Sequence, residues 1–205
     1  MCMQKGFVEI AKEIDDVILE IRYSSTYNFI GDKIDGYVDS TALLSVEACN
    51  GLKKASDEFK SLGYRIKIYD AYRPMKAVRH FVRWAKDIDD TRMKDIFYPN
   101  VDKKDLFKLG FISDRSSHSR GSTVDITLFD EKTGKDVDMG SYFDYFGDIS
   151  NSDYSDLSLE QLNNRKLLRD VMSKYGFKVL DSEWWHFTLI DEPYKDTYFE
   201  FEVKI

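Results

Sequence analysis

The chain has 205 residues, a formal charge of −7, 42% hydrophobic and 33% charged residues. That length can bury a full hydrophobic core and is most simply read as one domain spanning residues 1–205. The acidic balance argues against nucleic acid or an anionic membrane surface as partner, and no apolar run approaches the roughly 20 residues of a membrane span.

Met1 to Ile10 has no hydrophobic signal core and carries Glu9, while Cys2 and Cys49 are too few for a disulfide framework; together these features predict a cytoplasmic protein. Val17 to Tyr23 is the first strand candidate. Ser24 to Asp39 holds Tyr27, Phe29 and Tyr37 with no helical period and reads as an ordered loop. Ser45 is placed to cap a helix running to Leu62, with Glu47 near the positive end of its dipole. Ala48, Leu52, Ala55, Phe59 and Leu62 form its apolar stripe, and Gly63 stops it.

Tyr64 to Tyr69 alternates as a strand and runs into Asp70-Ala71-Tyr72-Arg73-Pro74. The residue before a proline is driven out of the helical region, so Arg73 should sit extended at the strand end while Pro74 opens the next helix. An arginine held in that way can aim its planar donors at one point; in a plain surface turn it would only be solvated. Ala77, Val78, Phe81, Val82, Ala85 and Ile88 mark the inward face of that helix. His80, on the opposite face beside Arg79 and Arg83, reads as exposed and inert. Between Asp87 and Asp114 the pattern predicts only a short helix near Lys103 to Leu109.

Ser116-Ser117-His118-Ser119-Arg120-Gly121-Ser122-Thr123-Val124-Asp125-Ile126-Thr127-Leu128 begins as a polar turn and ends as an alternating strand. Val124, Ile126 and Leu128 share one face, Thr123, Asp125 and Thr127 the other. A carboxylate in such a strand is costly to bury unless a cation meets it, and the turn can fold His118 back beside it. Residues 130–156 are acidic and irregular but lack the ladder of a calcium loop. Ser158 to Gln161 fits a capping box for a helix with Leu162, Leu168, Val171, Met172 and Tyr175 inward and Gly176 as its stop. Phe177 to Leu180 leads into Glu183-Trp184-Trp185-His186-Phe187, and Tyr198 to Ile205 alternates as a half-exposed terminal strand. The order of elements predicts an α+β fold, a largely antiparallel central sheet with flanking helices.

Two of the three histidines fall in the two polar clusters. Singly, each would be an ordinary surface residue. Together His118, Asp125 and His186 supply three ligands of the type zinc takes, with a fourth position open for water, and leave Glu183 over as a base. Glu183 and His186, three apart, converge on a helical turn or a bulged strand but not on a straight strand.

Ser116-x-His118-x-x-Gly121-x-x-x-Asp125, Glu183-Trp184-Trp185-His186 and Asp70-Ala71-Tyr72-Arg73-Pro74 resemble, in the same order, the zinc D-alanyl-D-alanine dipeptidases of the vancomycin-resistance type. These belong to the zinc D,D-peptidases with a hedgehog-like fold. The resemblance runs from about Tyr23 to His186; Thr123 departs from it, standing where the family commonly carries Ala. It implies one zinc per chain on His118, Asp125 and His186, Glu183 as general base, and Arg73 as the group that stabilises the oxyanion. It further implies Ser116 at the substrate carboxylate, with Tyr23 and Asp144 near its ammonium, and a small D,D-dipeptide as substrate with neither nucleic acid nor membrane as partner. Two other readings stay open: a zinc D,D-carboxypeptidase or peptidoglycan endopeptidase acting on longer peptides, and a non-catalytic protein with structural zinc. Oligomeric state is not legible in the sequence.

Overall fold

The computed structural model describes residues 4–205; the readings placed on Cys2 and on Met1 to Met3 lie outside them. A six-stranded sheet runs in the order β2 (Ile18–Leu19), β4 (Tyr64–Asp70), β5 (Thr123–Asp130), β8 (Glu183–Leu189), β7 (Phe177–Leu180), with β6 (Lys135–Asp136) also on β5. Within this sheet, among the described residues, only the β2–β4 pair is parallel. A smaller two-stranded sheet pairs β1 (Phe7–Glu9) with β3 (Leu43–Ser45). The expected α+β architecture, a mostly antiparallel sheet with flanking helices, is the one found.

After the single turn α1 (Ile10–Glu13), helix α2 (Val46–Ser61) begins where its cap demands, with the Ser45 hydroxyl accepting from the Ala48 amide. Ala48, Leu52, Ala55 and Phe59 are all buried, and a ring such as Phe59 contributes about 1.5–3 kcal/mol by leaving water. Leu62 lies past the last turn and is 52% exposed. The chain reverses at Gly63, whose φ of +88° a residue with a Cβ adopts only under strain. α2 packs on β4 and against α5 (Leu159–Lys174), which in turn packs on β7. The capping box at α5 forms as expected between Ser158 and Gln161; Leu168, Val171 and Met172 are buried while Leu162 stays exposed.

Several expectations are corrected. The strand over Val17 to Tyr23 shrinks to Ile18–Leu19, because residues 22–24 turn as a 3-10 helix that swings Tyr23 into the core. In α3 (Met75–Lys86) the inward face includes Trp84, and Ile88 lies beyond the helix end at 60% exposure. His80 is half-buried, its Nδ1 accepting from the Asp35 amide. The region 87–114 forms α4 (Lys94–Phe97) and a 3-10 turn over Lys103–Asp105 rather than a helix to Leu109. Lys103 is buried there, its ammonium donating to the Asp87 and Asp90 carbonyls at 2.5 and 2.7 Å over the Trp84 ring; this replaces helical continuation with a tertiary anchor.

Tyr198 to Ile205 makes no strand, only a single bridge from Val203 to Tyr37. Its alternation has another cause. The segment is an extended strap whose Phe199 and Phe201 pack edge-on against Phe7, with Phe201 stacked on Tyr72 at 4.1 Å between ring centroids.

Candidate active site

Asp125 points from β5 to the face opposite Val124 and Ile126, and the β5–β8 register sets His186 directly across from it. His118 arrives from the 3-10 turn Ser117–Arg120, whose exit at Gly121 has a φ of +84°. A Cβ at Gly121 would also collide with the Phe7 ring, so both backbone and packing require glycine where the chain folds back onto β5. Asp125 and His118 are each 1% exposed.

The hairpin from β7 to β8 is irregular. Val179 pairs with Phe187 but Leu180 pairs with Glu183, so three extra residues sit on the β8 side. This bulge resolves the spacing problem: Glu183 Oε2 comes within 3.4 Å of His186 Nδ1, which a straight strand would forbid. Trp184 and Trp185 are buried by the same distortion.

His118 Nε2 lies 3.2 Å from His186 Nδ1 and 3.2 Å from Asp125 Oδ2, and His186 Nδ1 lies 3.3 Å from Asp125 Oδ1. Donors about 2.0–2.2 Å from one tetrahedral metal are separated by about 3.3–3.6 Å, and the nearest donor atoms of each pair, through one or the other Asp125 oxygen, already lie at about that spacing. Asp125 Oδ1 is buried with no hydrogen-bond partner among the described residues, the state expected of an oxygen reserved for a cation. His118 Nδ1 meets the Ala71 carbonyl at 2.6 Å; a carbonyl accepts only, so Nδ1 carries the proton and Nε2 presents its lone pair to the centre. His186 Nε2 meets the Ser117 hydroxyl at 3.0 Å. The three residues can therefore hold a divalent metal.

The surrounding field favours positive charge. Burial alone would raise the Asp125 carboxyl, but the two imidazoles beside it outweigh burial and hold it well below the usual carboxylate range. Burial opposes a charge on His186, yet the carboxylates of Asp125 and Glu183 beside it push it up to about 9. Asp144 is buried in the same cavity, and its carboxyl is raised well above the ordinary value first by burial and then by the charge of Asp125. It accepts from Tyr23 Oη at 2.9 Å and holds a left-handed φ of +61°.

Arg73 follows β4 and precedes Pro74, the N-cap of α3, with its amide on the His118 carbonyl. Its Nε donates to Asp70 at 2.9 Å, and Nη2 approaches Asp125 at 3.5 Å. The guanidinium lies 5.0 and 5.2 Å from the ring centroids of Tyr23 and Phe81. Asp70 is fully buried and also receives the Tyr37 hydroxyl at 2.6 Å. A bulge between Ile68 and Asp70 brings Asp70 level with Asp125.

All eight residues singled out in the sequence, Tyr23, Arg73, Ser116, His118, Asp125, Asp144, Glu183 and His186, line one cavity of about 190 Å³. The Ser116 hydroxyl also caps the 3-10 turn by accepting from the His118 amide. Thr123, the departure from the family pattern, pairs with Thr188 hydroxyl to hydroxyl at 2.9 Å on the face of Asp125. Sequence reasoning passed over Asp70, which holds Arg73, Tyr37, which holds Asp70, and Ser117, which meets His186. Asp70 lay inside a quoted motif and could have been found there; Tyr37 and Ser117 carried no signal beyond their residue type.

A family model described as "D-ala-D-ala dipeptidase", of the M15 peptidases, matches residues 3–204. The chain is 38% identical over 201 residues to a D-alanyl-D-alanine dipeptidase of Enterococcus faecalis, covering 98% of this chain and all of that one. It is 37% identical over 194 residues to the corresponding protein of Streptomyces coelicolor, covering 93% of this chain and 96% of the other. Among solved structures, the LD-carboxypeptidase LdcB superposes with a TM-score of 0.50 at 17% identity, over 94% of this chain and 71% of that one. This last likeness is one of fold.

Proposed function

Since the chain belongs to the D-ala-D-ala dipeptidase family of peptidases, we propose that it is a zinc enzyme that hydrolyses D-Ala-D-Ala to free D-alanine. His118, Asp125 and His186 would hold one zinc per chain. The observation that carries the reading is the convergence of three buried donor residues, whose nearest atoms lie 3.2–3.3 Å apart pairwise through the two oxygens of Asp125, with Glu183 and Arg73 opening on the same cavity. A zinc ion held there would supply an acidified water and a Lewis acid for the carbonyl.

The protein's own groups do the rest. Glu183 accepts the proton of the water that attacks the peptide carbonyl carbon and delivers it to the nitrogen as the C–N bond breaks. Arg73 faces the oxygen that gains charge in that attack; its position is set beforehand by Asp70 and Tyr37, so no reorganisation is needed as charge develops. Asp144 meets the substrate ammonium with Tyr23 beside it. Burial keeps that carboxyl reluctant to ionise, and an arriving ammonium supplies the counter-charge that favours its anion. The Ser116 hydroxyl donates at the other end, to the substrate carboxylate. A cavity of about 190 Å³ lies below the roughly 300–1,000 Å³ of drug-sized ligand sites, which suits a dipeptide.

The test is to incubate the zinc-loaded protein with D-Ala-D-Ala, its depsipeptide D-Ala-D-lactate and a muramyl pentapeptide. Rapid release of D-alanine from the dipeptide and little from the pentapeptide is expected. Equal rates on both would replace the dipeptidase reading with a D,D-carboxypeptidase.

A further inference from the structure

Arg165 is a cation in an unexpected place. It lies on α5, is 5% exposed, and donates to three main-chain carbonyls: Nε to Met139 at 2.6 Å, Nη1 to Asn151 at 2.9 Å and Nη2 to Ile149 at 2.8 Å. No carboxylate bonds to it among the described residues; burial therefore lowers its pKa to about 10. Its guanidinium sits 5.7 Å from the ring centroid of Trp184. A buried arginine spent entirely on neutral carbonyls is costly unless the segment it holds must not move.

That segment is residues 139–151, and the three carbonyls mark its two ends. The loop between them turns inward: Phe143 stacks on Tyr69, Phe146 and Asp144 line the catalytic cavity, and the Ser150 hydroxyl ties back to the Tyr145 carbonyl. Asn164, one residue before the arginine, reinforces the near end through the Asp138 carbonyl at 2.9 Å. Asp144 itself holds a left-handed backbone, which persists in a residue other than glycine only where its surroundings over-determine it.

We infer that Arg165 is a positioning residue for substrate recognition: by clamping both ends of loop 139–151 it holds the Asp144 carboxylate where a substrate ammonium must dock. The inference rests on the reading of Asp144 as the ammonium partner. No lysine can replace the clamp, because one ammonium is a point charge whereas the planar fork reaches three carbonyls at once.

The experiment compares wild type, Arg165→Lys, Asp144→Ala and the double variant on D-Ala-D-Ala and on its N-acetylated form, which lacks the ammonium. Arg165→Lys should raise KM for the free dipeptide about tenfold or more, the size of a misaligned charge-assisted hydrogen bond, with kcat nearly unchanged. Its preference for the free over the acetylated dipeptide should fall by the same factor, and bound zinc should stay as in wild type. In the Asp144→Ala background, Arg165→Lys should add nothing to KM, because the group it positions is gone. An unchanged KM in folded Arg165→Lys, or an equal rise with and without Asp144, overturns the inference while leaving the Asp144 reading intact. If Asp144→Ala alone leaves KM and the preference unchanged, the ammonium reading falls and takes the inference with it. Should Arg165→Lys not fold, Asn164→Ala loosens the same loop end from the helix surface and must shift KM and preference in the same direction; no shift there also overturns the inference.

Discussion

Replacement of Arg73 tests the catalytic geometry and the buried charge balance in one residue. Of its donors, Nε is committed to Asp70 and Nη2 lies 3.5 Å from Asp125, while Nη1 makes no hydrogen bond among the described residues and is available to substrate. On the proposed mechanism, Arg73→Ala removes the donor that faces the developing oxyanion, and loss of one such donor costs about 10²–10³ in kcat. Arg73→Lys should recover only part, since a single ammonium cannot hold Asp70 and face substrate together. The same change strips a fully buried carboxylate of its cation. Breaking a buried pair costs about 3–5 kcal/mol, equivalent to roughly 6–20 °C in Tm for a chain of this size. The Tyr37 hydroxyl remains on Asp70, which places the expected loss toward the low end.

The pH dependence of that loss has a definite sign. Burial raises the Asp70 carboxyl above its ordinary value even with Arg73 present, and removing the guanidinium raises it further. A carboxyl with a raised folded pKa contributes stability at low pH that fades as pH rises through that pKa. The Tm deficit of metal-free Arg73→Ala against metal-free wild type should therefore be larger at pH 7 than at pH 5. Steady-state kinetics and thermal melts at both pH values check these points. A variant with unchanged kcat and raised KM would make Arg73 a ground-state binding group, and a deficit independent of pH would refute the charge argument.

Metal removal by a chelator should abolish hydrolysis and zinc should restore it; metal analysis should find about one zinc per chain in wild type and none in His118→Ala or His186→Ala, and full occupancy in both variants would refute the ligand assignment. Glu183→Gln keeps the shape but cannot take a proton, so kcat should fall by about 10²–10⁴ with zinc content unchanged; loss of zinc along with activity would make Glu183 a ligand instead. Gly121→Ala meets both a left-handed φ of +84° and the Phe7 ring. Strain of this kind costs about 1–3 kcal/mol, so a lower Tm and weaker zinc retention are expected, and a Tm equal to wild type would show that the turn relaxes freely.

Much of the frame was legible because it is local. The Ser45 and Ser158 caps, the stripe of α2 and the alternation that sets Asp125 opposite Val124 and Ile126 follow from side-chain periodicity and short-range hydrogen bonding. The ordered motifs also named the cavity residues, since chemistry restricts which side chains can hold a metal and move a proton. What pattern could not decide is how distant segments meet. Tyr23 and Asp144 join across 121 positions, and His118 and His186 across 68. Glu183 reaches His186 only because β8 bulges against β7; a bulge in β4 brings Asp70, the carboxylate that holds Arg73, level with Asp125. The alternation of the C-terminal strap looked like a strand because extended chain packed on one side has the same period whether or not its amides find a ladder. Likewise nothing in the pattern sets Arg165 and Lys103 apart from surface charges, since composition cannot show that a cation's partners are carbonyls brought from loops elsewhere in the chain. Periodicity determines which face of an element is buried; register, bulges and loop paths, set by packing over the whole chain, decide what that face meets.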